Sequence, residues 1–311
     1  MSAESIIADR EKRWVALTSL WAAVGLTSFK VVVGLWTGSL GILAEAAHSG
    51  LDLVAAFVTF LAIRAAAKPP DTEHPYGHGK VENLSAMFET LLLLITCVWI
   101  FYEAGHRLAY HHGDVEVNAW SFAVMVTSIV IDFSRSRALA RIAKKHNSQA
   151  LEADALHFST DIWSSLAVIV GLVCVKIGEH VSSLAWLRYS DAIAAIVVAL
   201  IVVWVSMELG LRTVRALLDT APEGMDSQII RAVEALPGIV DCHNVRVRAA
   251  GPLTFVDAHV LVDGRESLSA VHELMDRVEQ IIQEIAPNAD VTVHPEPVEV
   301  GSAACPGDGK L

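Results

Sequence analysis

Two stretches of this chain place a histidine and an aspartate four residues apart inside apolar sequence. They are His48 and Asp52 in "AEAAHSGLDLVAAFVTFLAIR" and His157 and Asp161 in "EADALHFSTDIWSS". Residues i and i+4 share one face of a helix. Two such helices side by side offer two imidazoles and two carboxylates, a donor set that suits tetrahedral Zn²⁺. A charged side chain near the centre of a bilayer costs about 2.5–3.5 kcal/mol on insertion scales. One divalent ion shared by both carboxylates offsets that cost. A single pair also fits an interhelical hydrogen bond, but the same pair repeated at the same spacing favours a site.

The elements that must hold these pairs read as membrane helices. The chain has 311 residues, 53% of them hydrophobic, and a mean hydropathy of +0.47, well above that of a soluble enzyme. A hydrocarbon core of ~30 Å needs about 20 apolar residues per helix. Six such segments are expected, at about Trp14–Trp36, Gly41–Ala66, Leu84–Tyr110, Asn118–Ser134, Ala155–Ile177 and Ser190–Leu211. The first lacks the short apolar core and small-residue cleavage site of a signal peptide. Lys and Arg gather before span one, between spans two and three and after span four, while "WTGS", "YHHGDVEV" and "GEHVSS" are poor in them. The alternation places both termini in the cytoplasm and the protein, multi-pass, in the inner (plasma) membrane. Lys30, mid-span, is expected to reach its ammonium towards the headgroups. The loop histidines His106, His111 and His112 carry little weight as ion collectors.

Beyond about Arg215 the pattern changes. "MDSQIIRAVEAL" and "SLSAVHELMDRVEQIIQEI" read as amphipathic helices, the second with Ser267 as cap. "VDCHNVRVRAAG" and "LTFVDAHVLVDG" alternate with period two and read as strands, and "ADVTVHPEP" as a third strand stopped by prolines. The order αββαβ implies a small α+β, ferredoxin-like domain with two helices on one face of a three-stranded sheet. The expected organisation is a cytoplasmic N-terminus (1–13), a six-helix transmembrane domain (14–212), a cytoplasmic metal-binding domain (213–298) and a disordered Gly-rich tail (299–311). The C-terminal region is strongly acidic within a net charge of −12, which excludes nucleic acid as a partner and favours cations. The four cysteines form no C-x-x-C pair and no disulfide framework.

With "HSGLD", "HFSTD", six spans and the αββαβ order, the chain resembles the cation diffusion facilitator family of metal/proton antiporters. "DTEHPYGHGKVENLSA" is similar to the family's bacterial zinc/iron branch. The resemblance covers about residues 10–297. It implies a homodimer in the lipid bilayer that is not an enzyme and exchanges divalent metal ions for protons. It also implies a second metal site in the loop after span two, where Asp71, His74 and His78 match. In the cytoplasmic domain it implies a two-metal cluster, with His243, His259, His272 and His294 at the histidine positions and Glu296 where relatives carry Asp. Against polar-turn and surface-histidine readings, these positions are taken as ligands, with Zn²⁺ both cargo and a regulatory or structural ion. Many members of that branch open the span-two motif with Asp. His48 in that place makes the donor set softer and shifts preference to zinc over Mn²⁺.

The leading expectation is a proton-coupled zinc exporter. Protons and metal compete for the same lone pairs, and histidine's ordinary pKa near ~6.5 lets modest acidity displace the ion. Three alternatives stay open: a membrane-bound metal sensor without transport, an exporter mainly of Fe²⁺, Cd²⁺, Co²⁺ or Mn²⁺, and a proton-coupled carrier of an organic solute.

Overall fold

The computed structural model describes residues 3–110, 119–180, 190–251, 253–287 and 289–298. The tail 299–311 and the histidines His111 and His112 lie outside them. The chain divides into two compact units, Met1–Val214 and Arg215–Leu311.

The first unit is built of helices α1 (Ala3–Thr37), α2 (Leu40–Ala66), α3 (Lys80–Tyr110), α4 (Ala119–His146), α5 (Gln149–His180) and α6 (Ser190–Leu217), the last ending in the second unit. Four stretches are long and apolar enough to cross a membrane among the described residues: Ile6–Thr37, Glu45–Ala66, Lys80–His106 and Ile196–Leu217. In α4 the apolar run is broken by Asp132, Arg135 and Arg137, and in α5 by Glu152, Asp154, His157 and Asp161. Elsewhere the bundle turns large apolar side chains outward, among them Trp21, Leu35, Val98 and Trp204, as a lipid-facing surface does.

Local chemistry sets the joints. Between α1 and α2, Gly38 adopts φ +65° and the Ser39 hydroxyl accepts from the Ile42 N–H at 3.4 Å, capping α2. A Cβ on Gly34 would come within 2.8 Å of the Leu43 side chain, so glycine there permits the close approach of the two helices. Helix α4 does not stop at Ser134 as the loss of apolar residues implied; its basic last turns carry it to His146. There Asn147 turns left-handed at φ +49°, and Ser148 begins the next helix by accepting from the Leu151 N–H. Leu139, Ala143, Ala150, Leu151, Ala155 and Phe158 then pack with Val15 and Ala16 of α1 and Ile63 of α2. The small residues let α5 lie close to its neighbours, and α5 contacts α2, the other helix with an H-x-x-x-D pair.

The second unit comprises α7 (Met225–Glu234), β1 (Ile239–Ala250), β2 (Leu253–Asp263), α8 (Leu268–Ile285) and β3 (Ala289–Val298). The order αββαβ is as the alternation and amphipathic periods imply. Strand β2 is central, antiparallel to β1 and parallel to β3. Val256, Ala258, Val260 and Val262 of β2 share one core with Ile229 and Val233 of α7 and Leu274, Met275, Val278 and Ile282 of α8. Both helices therefore cover one sheet face and leave the other open. Prolines do not end β3: it runs through Pro295 and Pro297 to Val298. It is an edge strand, where a missing N–H on the unpaired side costs no ladder bond.

Candidate metal centre

Packing α5 beside α2 brings the two H-x-x-x-D faces together. One donor atom each from His48, Asp52 and Asp161 lie within 4.8 Å of one another. His157 Nε2 stands 3.1 Å from Asp52 Oδ1 and 3.8 Å from Asp161 Oδ2. His48 Nε2 stands 4.0 Å from Asp52 Oδ1 and 3.9 Å from Asp161 Oδ1. Each imidazole thus meets both carboxylates. A tetrahedral zinc site with bonds of ~2.0–2.1 Å has donor–donor edges of roughly 3.3 Å, so small side-chain movements would close these four groups on one ion. The site is graded in exposure: the His157 side chain is 5% exposed, whereas that of His48 is 41% exposed.

Several charged groups around this cluster were misread or passed over in the sequence. Lys30, expected to reach for headgroups, is instead buried, and its Nζ donates to Ser49 Oγ at 2.8 Å and Glu45 Oε2 at 3.2 Å. On α4, Arg135 Nη1 donates to Asp132 Oδ1 at 3.2 Å. Asp154 and Glu89 are fully enclosed, Glu89 accepting from the Thr59 hydroxyl. Ionisable residues inside apolar spans are rare and mark ion pathways, and that signal was available at Glu89 and Asp132. At the bundle end formed by the α4–α5 joint, buried Lys12 donates to Glu82 at 2.7 Å, and Ser148 donates to the same carboxylate.

In the 67–79 loop, Asp71, His74 and His78 also offer donor atoms within 4.8 Å of one another. Asp71 lies 3.4 Å from His74 Nδ1 and 3.3 Å from His78 Nε2, and the two imidazole rings are 4.5 Å apart. The backbone N–H groups of His74 and Glu73 donate to Asp71 at 2.7 and 3.0 Å. The His74 N–H foremost, with that of Glu73 and the two imidazoles, holds the Asp71 carboxyl below its ordinary pKa, in the ionised form a cation needs. Gly77, at φ +79°, makes the turn that returns His78 to Asp71.

On the sheet, register does the assembly. His243 pairs with His259 across β1 and β2, and His259 with His294 across β2 and β3, so three imidazoles form a row on the open face. Ring centroids are 5.7 Å apart for the first pair and 5.1 Å for the second. Glu296, two residues after His294 on the same side of β3, accepts from His259 Nδ1 at 2.7 Å and lies 3.4 Å from His243 Nε2. The bond from His259, with the nearby imidazoles, lowers the Glu296 pKa. Asp241, missed in the sequence, pairs with His243 Nδ1 at 2.9 Å, and Asn244 Nδ2 lies 3.2 Å from His259 Nε2. His272 does not join this row: it is exposed on α8, which covers the opposite face of the sheet. Cys242 faces the core, where burial, with Glu234 and Asp241 nearby, pushes its thiol up to about 11. It is no ligand here.

The model of the cation efflux transmembrane domain matches residues 16–218, and that of the cation efflux protein, cytoplasmic domain, matches residues 221–298. Over 290 residues, 92% of each chain, the sequence is 29% identical to the cation-efflux pump FieF of Salmonella newport (strain SL254). The metal-bound C-terminal domain of the CzcD transporter from Thermotoga maritima is 30% identical, aligned over 92% of that domain and 26% of this chain at a TM-score of 0.23. With domain matches at residues 16–218 and 221–298, the chain belongs to the cation diffusion facilitator family of membrane cation-efflux transporters.

Proposed function

We propose that this protein exports divalent transition-metal ions, with Zn²⁺ preferred, from the cytoplasm across the inner membrane in exchange for protons. The cargo site is the four-residue cluster of His48, Asp52, His157 and Asp161. What carries the reading is that both imidazoles lie within 4.0 Å of both carboxylates, on two helices whose H-x-x-x-D pairs are identical in spacing. Two carboxylates match the charge of a dication, and two nitrogens soften the set towards zinc.

The same geometry supports coupling to protons. A proton on either imidazole pairs with the carboxylates that a metal ion would otherwise bridge, so protons and metal exclude each other. Acid on the far side displaces the ion, and six spans that rock about this point expose it alternately to either side. The protein works as a homodimer with both termini and the α+β unit in the cytoplasm. There, His243, His259 and Glu296, flanked by His294 and Asp241, bind a regulatory or structural zinc ion. Asp71, His74 and His78 form a loop site from which ions exchange readily, since three ligands leave a position for water.

The test is a competition flux assay in dye-loaded proteoliposomes with an imposed pH gradient, offering Zn²⁺, Cd²⁺, Fe²⁺, Co²⁺ and Mn²⁺ together. The proposal expects proton-dependent flux with zinc ahead. Binding without flux would identify a sensor, and flux led by another ion would overturn the zinc preference.

A further inference from the structure

The charges around the membrane cluster do not stop at its four members. Asp132 lies buried on α4, which packs against α5, the helix that carries His157 and Asp161, so its carboxylate adds to the field a cargo ion feels. Its direct partner is Arg135, one helical turn on, at 3.2 Å. That guanidinium is held on three sides. Nη1 donates to Asp132, and Nε donates to Ser19 Oγ of α1 at 3.2 Å. Its Cζ lies over the Phe158 ring, 3.5 Å from the centroid, and Phe158 is next in sequence to His157. Both side chains are shielded, 5% exposed for Arg135 and 11% for Asp132. Arg135 Nη2 is buried and has no hydrogen-bond partner among the described residues. Only a planar, permanently charged group can stack on a ring and donate from its edge in two directions at once.

We propose that Arg135 and Asp132 form a fixed-charge pair that sets how tightly the cluster of His48, Asp52, His157 and Asp161 holds its dication. Arg135 offsets the charge of Asp132, so the ion faces one uncompensated carboxylate fewer and can leave. Arg135 is a positioning residue in this scheme. It acts through Asp132 and through the orientation of Phe158 beside His157. A carrier must bind its ion firmly enough to load and weakly enough to release, and in a shielded interior one uncompensated carboxylate changes that balance by a large factor.

The inference rests on the cluster being the cargo site, so the experiment includes Asp161→Ala as a separate arm. Initial rates of Zn²⁺ entry into proteoliposomes of the full-length protein are measured over a range of zinc concentrations. Arg135→Gln is expected to lower KM by about threefold or more and to lower kcat with it, because release slows. Asp132→Asn is expected to raise KM by a similar factor, and the double variant to return towards the original values. Opposite shifts that cancel when combined are a signature of charge, which loss of a structural brace does not produce. Normal transport by Asp161→Ala would sink the cargo-site reading and this proposal together. Dead Asp161→Ala with unchanged KM in Asp132→Asn and Arg135→Gln would overturn this proposal alone. If Arg135→Gln fails to insert, Asp132→Asn still decides: an unchanged KM there refutes the pair.

Discussion

His157 Nε2 lies 3.1 Å from Asp52 Oδ1, the shortest of the four contacts between the imidazoles and carboxylates of the membrane cluster, and it joins α5 to α2. Removing either partner should therefore damage the site from both helices at once. His157→Ala and Asp52→Ala should each weaken zinc binding by about 100-fold or more, at or beyond the upper end of what the loss of a mere supporting residue costs. The double variant should be little worse than either single one. Calorimetry on detergent-solubilised protein measures this, and additive losses would mean that the two residues do not share an ion.

His48→Asp should broaden selectivity towards Mn²⁺ and Cd²⁺, since it exchanges a nitrogen donor for an oxygen donor at the most exposed corner of the cluster. The ratio of Zn²⁺ to Mn²⁺ flux should fall. A ratio that does not move would place His48 outside the coordination sphere.

The row of imidazoles on the open sheet face makes a claim about the second unit alone. Arg215–Leu311 is compact and has its own core, so a fragment ending at Val298 should fold. His259→Ala combined with His294→Ala should weaken its zinc affinity at least tenfold, by loss of direct donors. Without metal the fragment should stay folded and lose no more stability than the bond from His259 to Glu296 supplies, since neither side chain is part of the core. In the full-length protein the same pair of changes should reduce transport only partly. A fragment that binds zinc as tightly after both changes would reduce the row to surface histidines.

Glu296 supplies a pH signature. Its folded-state pKa lies below the ordinary 4.5, chiefly because His259 donates to it. The stabilisation from this carboxylate is therefore present above pH 4.5 and is lost as pH falls through the depressed folded value. Glu296→Gln should destabilise the metal-free fragment at pH 5–6, and the difference from the unaltered fragment should close towards pH 3. Urea titrations across that range check it, and a gap that widens on acidification would contradict the assignment.

The elements were legible where a periodic signal extended far enough. Apolar runs marked the long helices, and alternation with turn residues marked β1 and β2. Their ends were not legible. Polarity after Ser134 looked like a stop, yet Arg137, Arg141 and Lys144 are compatible with helix and simply leave the apolar region. The spacing of His48 and Asp52 showed a shared face, but not what that face would meet. That depended on Ala150, Leu151 and Ala155 letting α5 settle against its neighbours. Lys30 and Arg135 were misjudged or missed for another reason. Each is explained by partners distant in sequence, Ser49 for the first and Ser19, 116 residues away, for the second. Asp241 was passed over because exposed acids are common in an acidic domain, and only the strand geometry singles it out.

The sheet row has a consequence for how such a domain can change over time. In β2 the odd-numbered residues Asp257 and His259 face outward while Val256, Ala258 and Val260 line the core; in β3 His294 and Glu296 face outward while Val291 and Val293 turn inward. The cluster is thus encoded by parity as well as by residue type. Gaining or losing one residue inside β3 ahead of His294 sends His294 and Glu296 beneath the helices and presents their apolar neighbours to solvent. A change of two residues preserves the parity and only slides the row along the strand. Insertions and deletions in this strand should therefore be tolerated in even steps, which ties the persistence of the ligand row to that of the core behind it.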